Sequence, residues 1–236
     1  MITPTPIIKF VTLQGIIGVG KSTQLQRIRE AHPDFMFVDE PLAVWQSLVD
    51  PESGKNLLEL FYSNQQRWAY TFQNSAFITR LRAATDALEA AKKEWYRRYI
   101  VATLAHPGVE YNTPLVVLSE RDILCDRYVF ATMLHDSHTL SEMEWKLYTS
   151  WFDYFCGGDK PIIKVDGIVW IREPVEVCQQ RIKTRGRVGE ENIPIEYQRE
   201  LNEYHERWLT STTIPVLEMS SEATEVQKLG CFVNAL

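Results

Sequence analysis

The stretch from Gly15 to Thr23 constrains the fold of this chain more than any other part of the sequence. It reads GIIGVGKST, which completes the pattern G-x-x-x-x-G-K-S/T, and it lies between an apolar run and a polar helical pattern. Gly15, Gly18 and Gly20 let backbone N–H groups point into one concavity, where the dipole of the next helix adds partial positive charge. Lys21 is expected to reach the β- and γ-phosphates of a nucleotide, and the Ser22 hydroxyl to bind Mg²⁺. The stretch therefore predicts a nucleoside triphosphate site rather than a simple glycine turn between strand and helix.

Five short apolar runs punctuate the chain, and helical patterns separate them. The runs are Ile7 to Leu13, Phe35 to Val38, Leu115 to Leu118, Ile168 to Ile171 and Ile214 to Leu217. This arrangement is typical of a parallel sheet that is covered by helices on both faces. The sequence therefore predicts an α/β fold with a five-stranded parallel sheet flanked by helices. Ligands of such sheets bind beyond the carboxyl ends of the strands, so the residues that follow each run are the candidates for chemistry.

Length, charge and composition limit the classes of protein to which this chain can belong. The chain has 236 residues, enough to bury a sizeable core, and no repeat divides it, so residues 1–236 are predicted to form one domain. A formal net charge of −6 argues against binding to nucleic acid or to an acidic membrane surface. No apolar run reaches the roughly 18 residues that span a bilayer, and residues 1–6 lack a basic targeting pattern, so a cytoplasmic protein is expected. The cysteines lack metal-ligand spacing and are expected to be reduced and mostly buried: Cys125, Cys156, Cys178 and Cys231.

The longest helical pattern runs from about Asn64 to Lys93 and is amphipathic, with Trp68 and Phe72 on one face. The next segment, residues 94–113, is expected to be less regular, and it interleaves aromatic residues with arginines from Trp95 to Tyr99. Such a mixture can bind nucleic acid, but on an acidic protein a solvated helix end is the simpler interpretation.

A helix after the fourth apolar run ends in a cluster of arginines that includes Arg181, Arg185 and Arg187. Cations are favourable near a helix C-terminus, so solvated charge is one interpretation. The alternative is a lid over phosphates, for which Gly186 and Gly189 would supply hinge freedom. The predicted lid covers about residues 181–192.

Taken with the loop, several further motifs resemble the deoxyribonucleoside kinase family, in particular its deoxycytidine, deoxyguanosine and deoxyadenosine kinase branch. The motifs are Glu40-Pro41 with Trp45, Tyr62, Arg67-Trp68 through Phe72-Gln73, Ala76 and Arg80, Glu120-Arg121, Asp126-Arg127-Tyr128, and Arg181 to Arg187 with Glu190. The resemblance extends from about residue 7 to residue 219 and implies a P-loop kinase fold.

Three departures from the family pattern stand out. Gln14-Gly15-Ile16 occupies the place where the family usually has Glu-Gly-Asn, and Asp122 stands where it usually has Ser. The stretch from Arg80 to Glu120 is also longer than in the relatives. The first two departures concern the phosphate and metal shell, and the third concerns oligomeric contacts.

The resemblance implies that, with Mg²⁺ as cofactor, the γ-phosphate of ATP or another nucleoside triphosphate is transferred to the 5′-hydroxyl of a deoxynucleoside. Glu40 would orient this hydroxyl and accept its proton, and Arg121 would hold Glu40 ionised. The catalytic residues implied are Glu40, Arg121, Lys21, Arg185 and Arg187. The residues implied to bind ATP are Gly15, Gly18, Gly20, Lys21, Ser22, Thr23, Arg181, Arg185 and Arg187, and those implied to bind the metal are Ser22 and Glu120.

The resemblance also implies an acceptor site. Its residues are Ile17, Glu40, Trp45, Phe61, Tyr62, Phe72, Gln73, Ala76, Arg80, Arg121, Asp126, Phe130 and Glu190. Tyr62 and Glu190 would bind the 3′-hydroxyl, and Gln73 would bind the edge of the base. Thymidine-preferring relatives carry small or apolar residues in place of Arg80 and Asp126. An ionised Asp accepts a hydrogen bond from an exocyclic amine but opposes a carbonyl, so deoxycytidine, deoxyadenosine or deoxyguanosine is expected to be preferred over thymidine.

Two other functions stay open on the sequence alone. A nucleoside monophosphate kinase of the thymidylate kinase type shares the loop and the lid. Its acceptor already carries a phosphate, however, so a cationic side chain would be expected at the position of Glu40. A catalytically inactive nucleotide-binding subunit would be expected to have lost Lys21, Glu40 or the lid arginines. The resemblance further implies a homodimer, because relatives dimerise through helices near the longer segment, and no nucleic-acid or membrane partner is expected.

Overall fold

Five parallel strands form one sheet in the computed structural model, which describes residues 4–108, 110–158, 161–190 and 193–236. The strands are β1 (Ile8–Gln14), β2 (Met36–Val38), β3 (Leu115–Glu120), β4 (Gly167–Ile171) and β5 (Val216–Met219). Their order across the sheet is β2-β3-β1-β4-β5. In the register of this sheet, Val11 of β1 lies opposite both Leu118 and Gly167. The predicted five-stranded parallel sheet is confirmed, and its central strand leads into the glycine-rich loop.

The strands are apolar on both faces because helices cover both faces. Val117 and Leu118 are neighbours in β3 and therefore point to opposite sides of the sheet, yet both are fully buried. The same holds for Ile168 and Val169 in β4. Continuous rather than alternating apolar runs are the pattern of such doubly covered strands.

Ten helices, together with one π-helical and one 3-10 turn, occupy the described parts of the chain between and after the strands. The helices are α1 (Lys21–Ala31), α2 (Leu42–Ser47), α3 (Leu57–Ser63), α4 (Gln65–Ala105), α5 (Ile123–Cys125), α6 (Thr132–Asp136), α7 (Glu142–Cys156), α8 (Val175–Arg185), α9 (Ile195–Ser211) and α10 (Val226–Ala235), with the π-helical turn at Asp126–Ala131 and the 3-10 turn at Ala223–Glu225. Ser141 and Glu144 form a capping box that starts α7.

Helix α4 is longer than its sequence pattern indicates. We expected the helix to end near Lys93 and residues 94–113 to be less regular, but α4 continues to Ala105 and has 41 residues. Trp95 explains the continuation: it is 1% exposed, and its indole Nε1 donates to the Thr113 carbonyl at 2.9 Å. Burial of one large aromatic side chain stabilises helical backbone that its local sequence does not specify.

The aromatic and basic residues around Trp95 are structural. Trp95 stacks on Tyr99 with ring centroids 5.6 Å apart, and Tyr111 packs edge-on against it. Arg97 and Arg98 both donate to Glu94, one turn earlier on α4. The rings therefore belong to the core, and the arginines are paired along the helix surface.

A second apolar cluster lies on the side of the sheet where α2, α3 and α4 meet. Its buried members are Trp45, Leu57, Leu58, Phe61, Ala69, Phe72, Ala76, Leu134 and Leu140. Because α3 and the first turns of α4 contribute most of these residues, the cluster holds these two helices against each other.

The cysteines are free. Cys125 and Cys178 are buried and Cys156 is half-buried, whereas Cys231 is exposed on α10, so the expectation of mostly buried thiols holds for the first three only. Among the residues described, no helix combines the length and the apolar character that crossing a bilayer requires.

Candidate active site

The glycine-rich loop connects β1 to α1 and lies at the centre of the site. Gly15 has a φ of 141°, and a Cβ at this position would lie 2.6 Å from the carbonyl oxygen of Ile171. Only glycine fits this approach to β4. The Lys21 ammonium donates to the carbonyl oxygens of Gly15 at 3.0 Å and Ile16 at 2.9 Å, which folds its side chain over the loop. Burial lowers the pKa of Lys21 to about 7, with a further lowering by Arg121, although Glu120 and Glu40 oppose the shift.

Two arginines converge on the carboxylate of Glu40, which follows β2. Arg121 Nη1 lies 2.7 Å and Arg80 Nη2 lies 2.6 Å from the same oxygen, Glu40 Oε1. Burial alone would raise the pKa of Glu40, but Arg121, Arg80 and Lys21 outweigh it and hold this pKa well below its ordinary value. Glu40 is therefore an ionised, oriented carboxylate at the carboxyl end of the sheet.

Arg121 has a strained backbone. Its φ is 61°, in the left-handed region that residues other than glycine seldom adopt. Neighbouring groups fix this conformation: the Arg121 N–H donates to the Leu13 carbonyl at 3.0 Å, and the Ser119 hydroxyl donates to the Arg121 carbonyl at 2.8 Å. The turn directs the guanidinium group of Arg121 from the end of β3 to Glu40.

Gln14 and Asp122, two positions that depart from the family pattern, both lie near Thr12. Gln14 Nε2 donates to Thr12 Oγ1 at 3.0 Å, and Asp122 Oδ1 accepts from the Cys125 N–H at 2.8 Å. Burial raises the pKa of Asp122 to about 6, and the hydrogen bond from the Cys125 N–H opposes the shift. Asp122 thus starts the helical segment that carries Asp126.

Ser22 and Glu120 form the pair predicted to bind a metal. The Ser22 hydroxyl donates to Glu120 Oε1 at 3.1 Å, across the gap between α1 and the end of β3. Burial and the charge of Glu40 raise the pKa of Glu120, while Lys21 opposes this. One hydroxyl and one carboxylate oxygen fit a hard cation that takes its other ligands from phosphate and water.

The base end of the site is built around Asp126, in the π-helical turn. Arg80 Nη1 forms an ion pair with Asp126 Oδ1, and Gln73 Nε2 donates to the Asp126 carbonyl at 3.4 Å. Asp126 Oδ2 is buried and has no hydrogen-bond partner among the described residues. Burial raises the pKa of Asp126, and Arg80 opposes this shift. One carboxylate oxygen of Asp126 is therefore fixed by Arg80, and the other is free for a ligand.

Aromatic side chains form the walls. Phe61 and Phe72 stack with ring centroids 4.6 Å apart, and Trp45 meets Phe72 edge-on at 5.3 Å. The guanidinium group of Arg80 lies 4.8 Å from the centroid of the Trp45 ring, and that of Arg121 lies 5.1 Å from Phe130. These rings form an apolar wall against which a planar base can pack, with polar groups at its edge.

These residues enclose a cavity of about 380 Å³ that joins the loop to the base end. Of the residues predicted to bind substrate or ATP, Gly15 and Ala76 do not line it. Gly15 packs against the Ile171 carbonyl of β4, and Ala76 is fully buried in the cluster that also contains Trp45 and Phe72. The other predicted site residues line the cavity: Ile17, Gly18, Gly20, Lys21, Ser22, Thr23, Glu40, Trp45, Phe61, Tyr62, Phe72, Gln73, Arg80, Glu120, Arg121, Asp126, Phe130, Arg181, Arg185, Arg187 and Glu190.

Sequence reasoning missed three lining residues: Leu42, Leu58 and Tyr197. Leu58 lies three residues before Phe61 on α3, so helical spacing could have found it. Tyr197 comes from α9, and the sequence carries no local sign that this helix returns to the site. Its hydroxyl is buried and has no hydrogen-bond partner within the described ranges.

The predicted lid arginines are already paired. Arg185 Nη2 and Arg187 Nη1 bind the two carboxylate oxygens of Glu190, the latter at 2.9 Å. Arg181 instead donates to the Val19 carbonyl and to the Ser221 hydroxyl, each at 3.1 Å. The predicted lid also includes Glu191 and Asn192, which lie outside the described residues.

Comparison with known proteins identifies the family. A family model described as deoxynucleoside kinase matches residues 11–233. Deoxycytidine kinase 1 of Xenopus laevis is 34% identical over 218 residues, which are 88% of this chain and 76% of that protein. Human deoxycytidine kinase is 32% identical over 88% of this chain and 77% of its own length. The mitochondrial deoxyguanosine kinase of Xenopus laevis is 30% identical over 89% of this chain and 76% of its own length.

The match covers the loop, the strand ends and the arginine cluster that form the cavity. It agrees with the predicted function rather than with either alternative, and it implies a nucleotide as the phosphate donor. The chain therefore belongs to the deoxynucleoside kinase family, and it is an enzyme that phosphorylates a deoxynucleoside.

Proposed function

We propose that this kinase transfers the γ-phosphate of ATP to the 5′-hydroxyl of deoxycytidine, deoxyadenosine or deoxyguanosine in preference to thymidine. The observation that carries the proposal is the buried ion pair between Arg80 and Asp126, beside Gln73 at the base end of the cavity. The free oxygen of Asp126 would accept from an exocyclic amine and would oppose the O4 carbonyl of thymine. A buried mismatch of this kind costs roughly 1–3 kcal/mol, about tenfold to a hundredfold in selectivity.

Glu40 would act on the 5′-hydroxyl. With Arg80 and Arg121 on its Oε1 atom, the carboxylate is fixed in direction and is a weak base. It would accept a hydrogen bond from the hydroxyl and take the proton late, when the bond to phosphorus has begun to form. Lys21, Arg185 and Arg187 would neutralise the charge on the transferred phosphoryl group.

The donor would lie on the glycine-rich loop. Backbone N–H groups from Gly18 to Thr23 would bind the phosphates, and Arg181 would lie beside them. Ser22 and Glu120 would hold Mg²⁺, whose contribution when bound is to neutralise charge between the β- and γ-phosphates.

A comparison of acceptors tests this proposal. The enzyme is assayed with each of the three deoxynucleosides, with thymidine and with the corresponding monophosphates. We expect kcat/KM to be highest for one of the three favoured nucleosides, lower by about tenfold or more for thymidine, and lowest for the monophosphates. A higher kcat/KM for thymidine would refute the base assignment, and a preference for monophosphates would refute the assignment of the acceptor.

We further propose that the whole chain acts as one catalytic domain and forms a homodimer through α7. Support comes from an apolar stripe on that helix, in which Met143, Leu147, Trp151 and Tyr154 recur at helical spacing and are exposed. Light scattering should give twice the chain mass for the wild type and the chain mass for Trp151→Glu. Val49→Glu, at an exposed apolar position outside α4 and α7, is the matched control and should stay dimeric.

The setting proposed is nucleotide salvage in the cytoplasm, where the enzyme would supply precursors for DNA synthesis. Free thiols and an ATP donor both suit that compartment.

A further inference from the structure

Both oxygens of the Glu190 carboxylate are engaged by arginines of the predicted lid. Arg185 binds Oε2, and Arg187 binds Oε1 at 2.9 Å. The Glu190 side chain is only 5% exposed, so solvent screens these ion pairs weakly. The two cations placed to neutralise donor phosphates are thus held by an internal anion.

The same carboxylate belongs to the acceptor end of the cavity. Glu190 lines the cavity together with Tyr62 and Tyr197. Burial raises the pKa of Tyr62, and the nearby Tyr197 and Glu190 raise it further. Glu190 therefore lies between the hydroxyl-lined end of the cavity and the arginines of α8 and its C-terminal loop.

Arg181, by contrast, is not bound to the Glu190 carboxylate in the part of the chain that the structure describes. Its partners are the neutral Val19 carbonyl and Ser221 hydroxyl. A triphosphate can approach Arg181 without displacing a carboxylate. To bind Arg185 and Arg187, the triphosphate must compete with Glu190.

We propose that Glu190 couples the two substrate sites: a 3′-hydroxyl on the acceptor sugar hydrogen-bonds to Glu190 and loosens its hold on Arg185 and Arg187, which then bind the donor phosphates. This inference rests on the proposed function of the site. An anion that accepts a hydrogen bond from a ligand hydroxyl is a weaker partner for the arginines, so acceptor and donor should strengthen each other's binding. By linkage, the factor is the same in both directions.

Calorimetric titration of a non-hydrolysable ATP analogue tests this coupling. One sample of the wild-type enzyme is saturated with the preferred deoxynucleoside and another with the 2′,3′-dideoxynucleoside of the same base. We expect the analogue to bind about fivefold or more tightly when the 3′-hydroxyl is present, a factor at the low end of typical site-to-site couplings. Equal affinity in the two samples would overturn the proposal without the need for any variant.

Glu190→Gln supplies the second measurement. Its neutral amide should hold the arginines less tightly, so the nucleoside-free variant should bind the analogue more tightly than the nucleoside-free wild type, and the effect of the 3′-hydroxyl should fall to less than about twofold. Glu196→Gln, an exposed carboxylate in the first turn of α9, is the matched control and should keep the wild-type ratio. A wild-type ratio in Glu190→Gln would overturn the proposal.

The outcomes also separate this inference from the proposed function. If neither nucleoside is bound or phosphorylated, both fail. If both nucleosides are bound and phosphorylated but the analogue binds equally well beside each, the kinase assignment stands and the coupling through Glu190 is wrong.

Discussion

Arg80 and Glu40 form a buried ion pair of 2.6 Å between Nη2 and Oε1, and the other terminal nitrogen of the same guanidinium group binds Asp126. One side chain of α4 therefore joins the carboxylate at the reacting end of the cavity to the carboxylate at the base end. A change at the base end should thus alter both base preference and the alignment of Glu40.

Replacement of the base-end pair should shift selectivity towards thymidine. Arg80→Met with Asp126→Ala removes the carboxylate that opposes the O4 carbonyl, and we expect the thymidine to deoxycytidine ratio of kcat/KM to rise by about tenfold or more. Arg82→Met with Asp86→Ala is the matched control, because this pair lies next to Arg80 on α4 and is exposed. An unchanged ratio in the first double variant would remove Arg80 and Asp126 from base selection.

Glu40→Gln should abolish most activity while the fold is retained. The amide keeps the shape of the side chain but cannot take the proton of the hydroxyl, so kcat should fall by about a hundredfold or more. Asp39→Asn, at the adjacent exposed position, breaks only a surface pair with Arg29 and should leave kcat nearly unchanged. Activity of Glu40→Gln within tenfold of the wild type would show that Glu40 is not the proton acceptor.

Asp122→Asn should stabilise the protein above pH 6. The pKa of Asp122 is raised from an ordinary 3.8 to about 6, so its contribution to the free energy of unfolding is most favourable below pH 3.8 and declines as the pH rises to about 6. Asparagine does not ionise, and its Oδ1 can still accept from the Cys125 N–H. We compare the free energy of unfolding of the variant with that of the wild type at each pH. This difference should be more favourable to the variant at pH 7.5 than at pH 4, by roughly 1–3 kcal/mol.

Urea unfolding at the two pH values measures this difference. Asp153→Asn, at an exposed position on α7, is the control for an Asp-to-Asn replacement at the surface. A gain that does not depend on pH would mean that ionisation of Asp122 is not the cause.

Binding of a triphosphate should cause the amine of Lys21 to become protonated. Its pKa of about 7 leaves much of the ammonium deprotonated at pH 8, and nearby phosphate charges should raise this pKa. Calorimetry in buffers of different ionisation enthalpy should therefore show proton uptake when a non-hydrolysable ATP analogue binds at pH 8. Lys21→Arg, which stays charged, should bind the analogue without uptake. Equal uptake in both proteins would assign the proton to another group.

The sequence was most informative where chemistry is local. The loop from Gly15 to Thr23, the five strands and the acidic positions at the strand ends follow from motif and periodicity, and the strands lie as predicted. The predicted site residues other than Gly15 and Ala76 line one cavity, because parallel strands bring their carboxyl ends together.

Most contacts between distant elements could not be predicted from local sequence patterns, and the contact of Arg121 with Glu40, 81 residues away, followed only from the family resemblance. Nothing near Arg80 in the sequence indicates that it bridges Glu40 and Asp126, which are 40 and 46 residues away. The pairing of Arg185 and Arg187 with Glu190 was missed for another reason: a basic cluster looks the same whether its partner is a phosphate or an internal carboxylate. The length of α4 depends on the burial of Trp95, which only the folded chain supplies.

Gln14 and Asp122, the two positions near Thr12 that depart from the family pattern, are best considered together. Where the family pattern has an acid at position 14 and a serine at position 122, this chain has an amide and an acid, and both side chains lie near Thr12. The number of acids at these two positions is therefore one in both patterns, but the acid stands at the other position. Restoration of the family residue at position 14 alone would place two acids there, and restoration at position 122 alone would leave none. The two sites thus form one compensated exchange, and any transplant of this loop into a relative should carry both residues together.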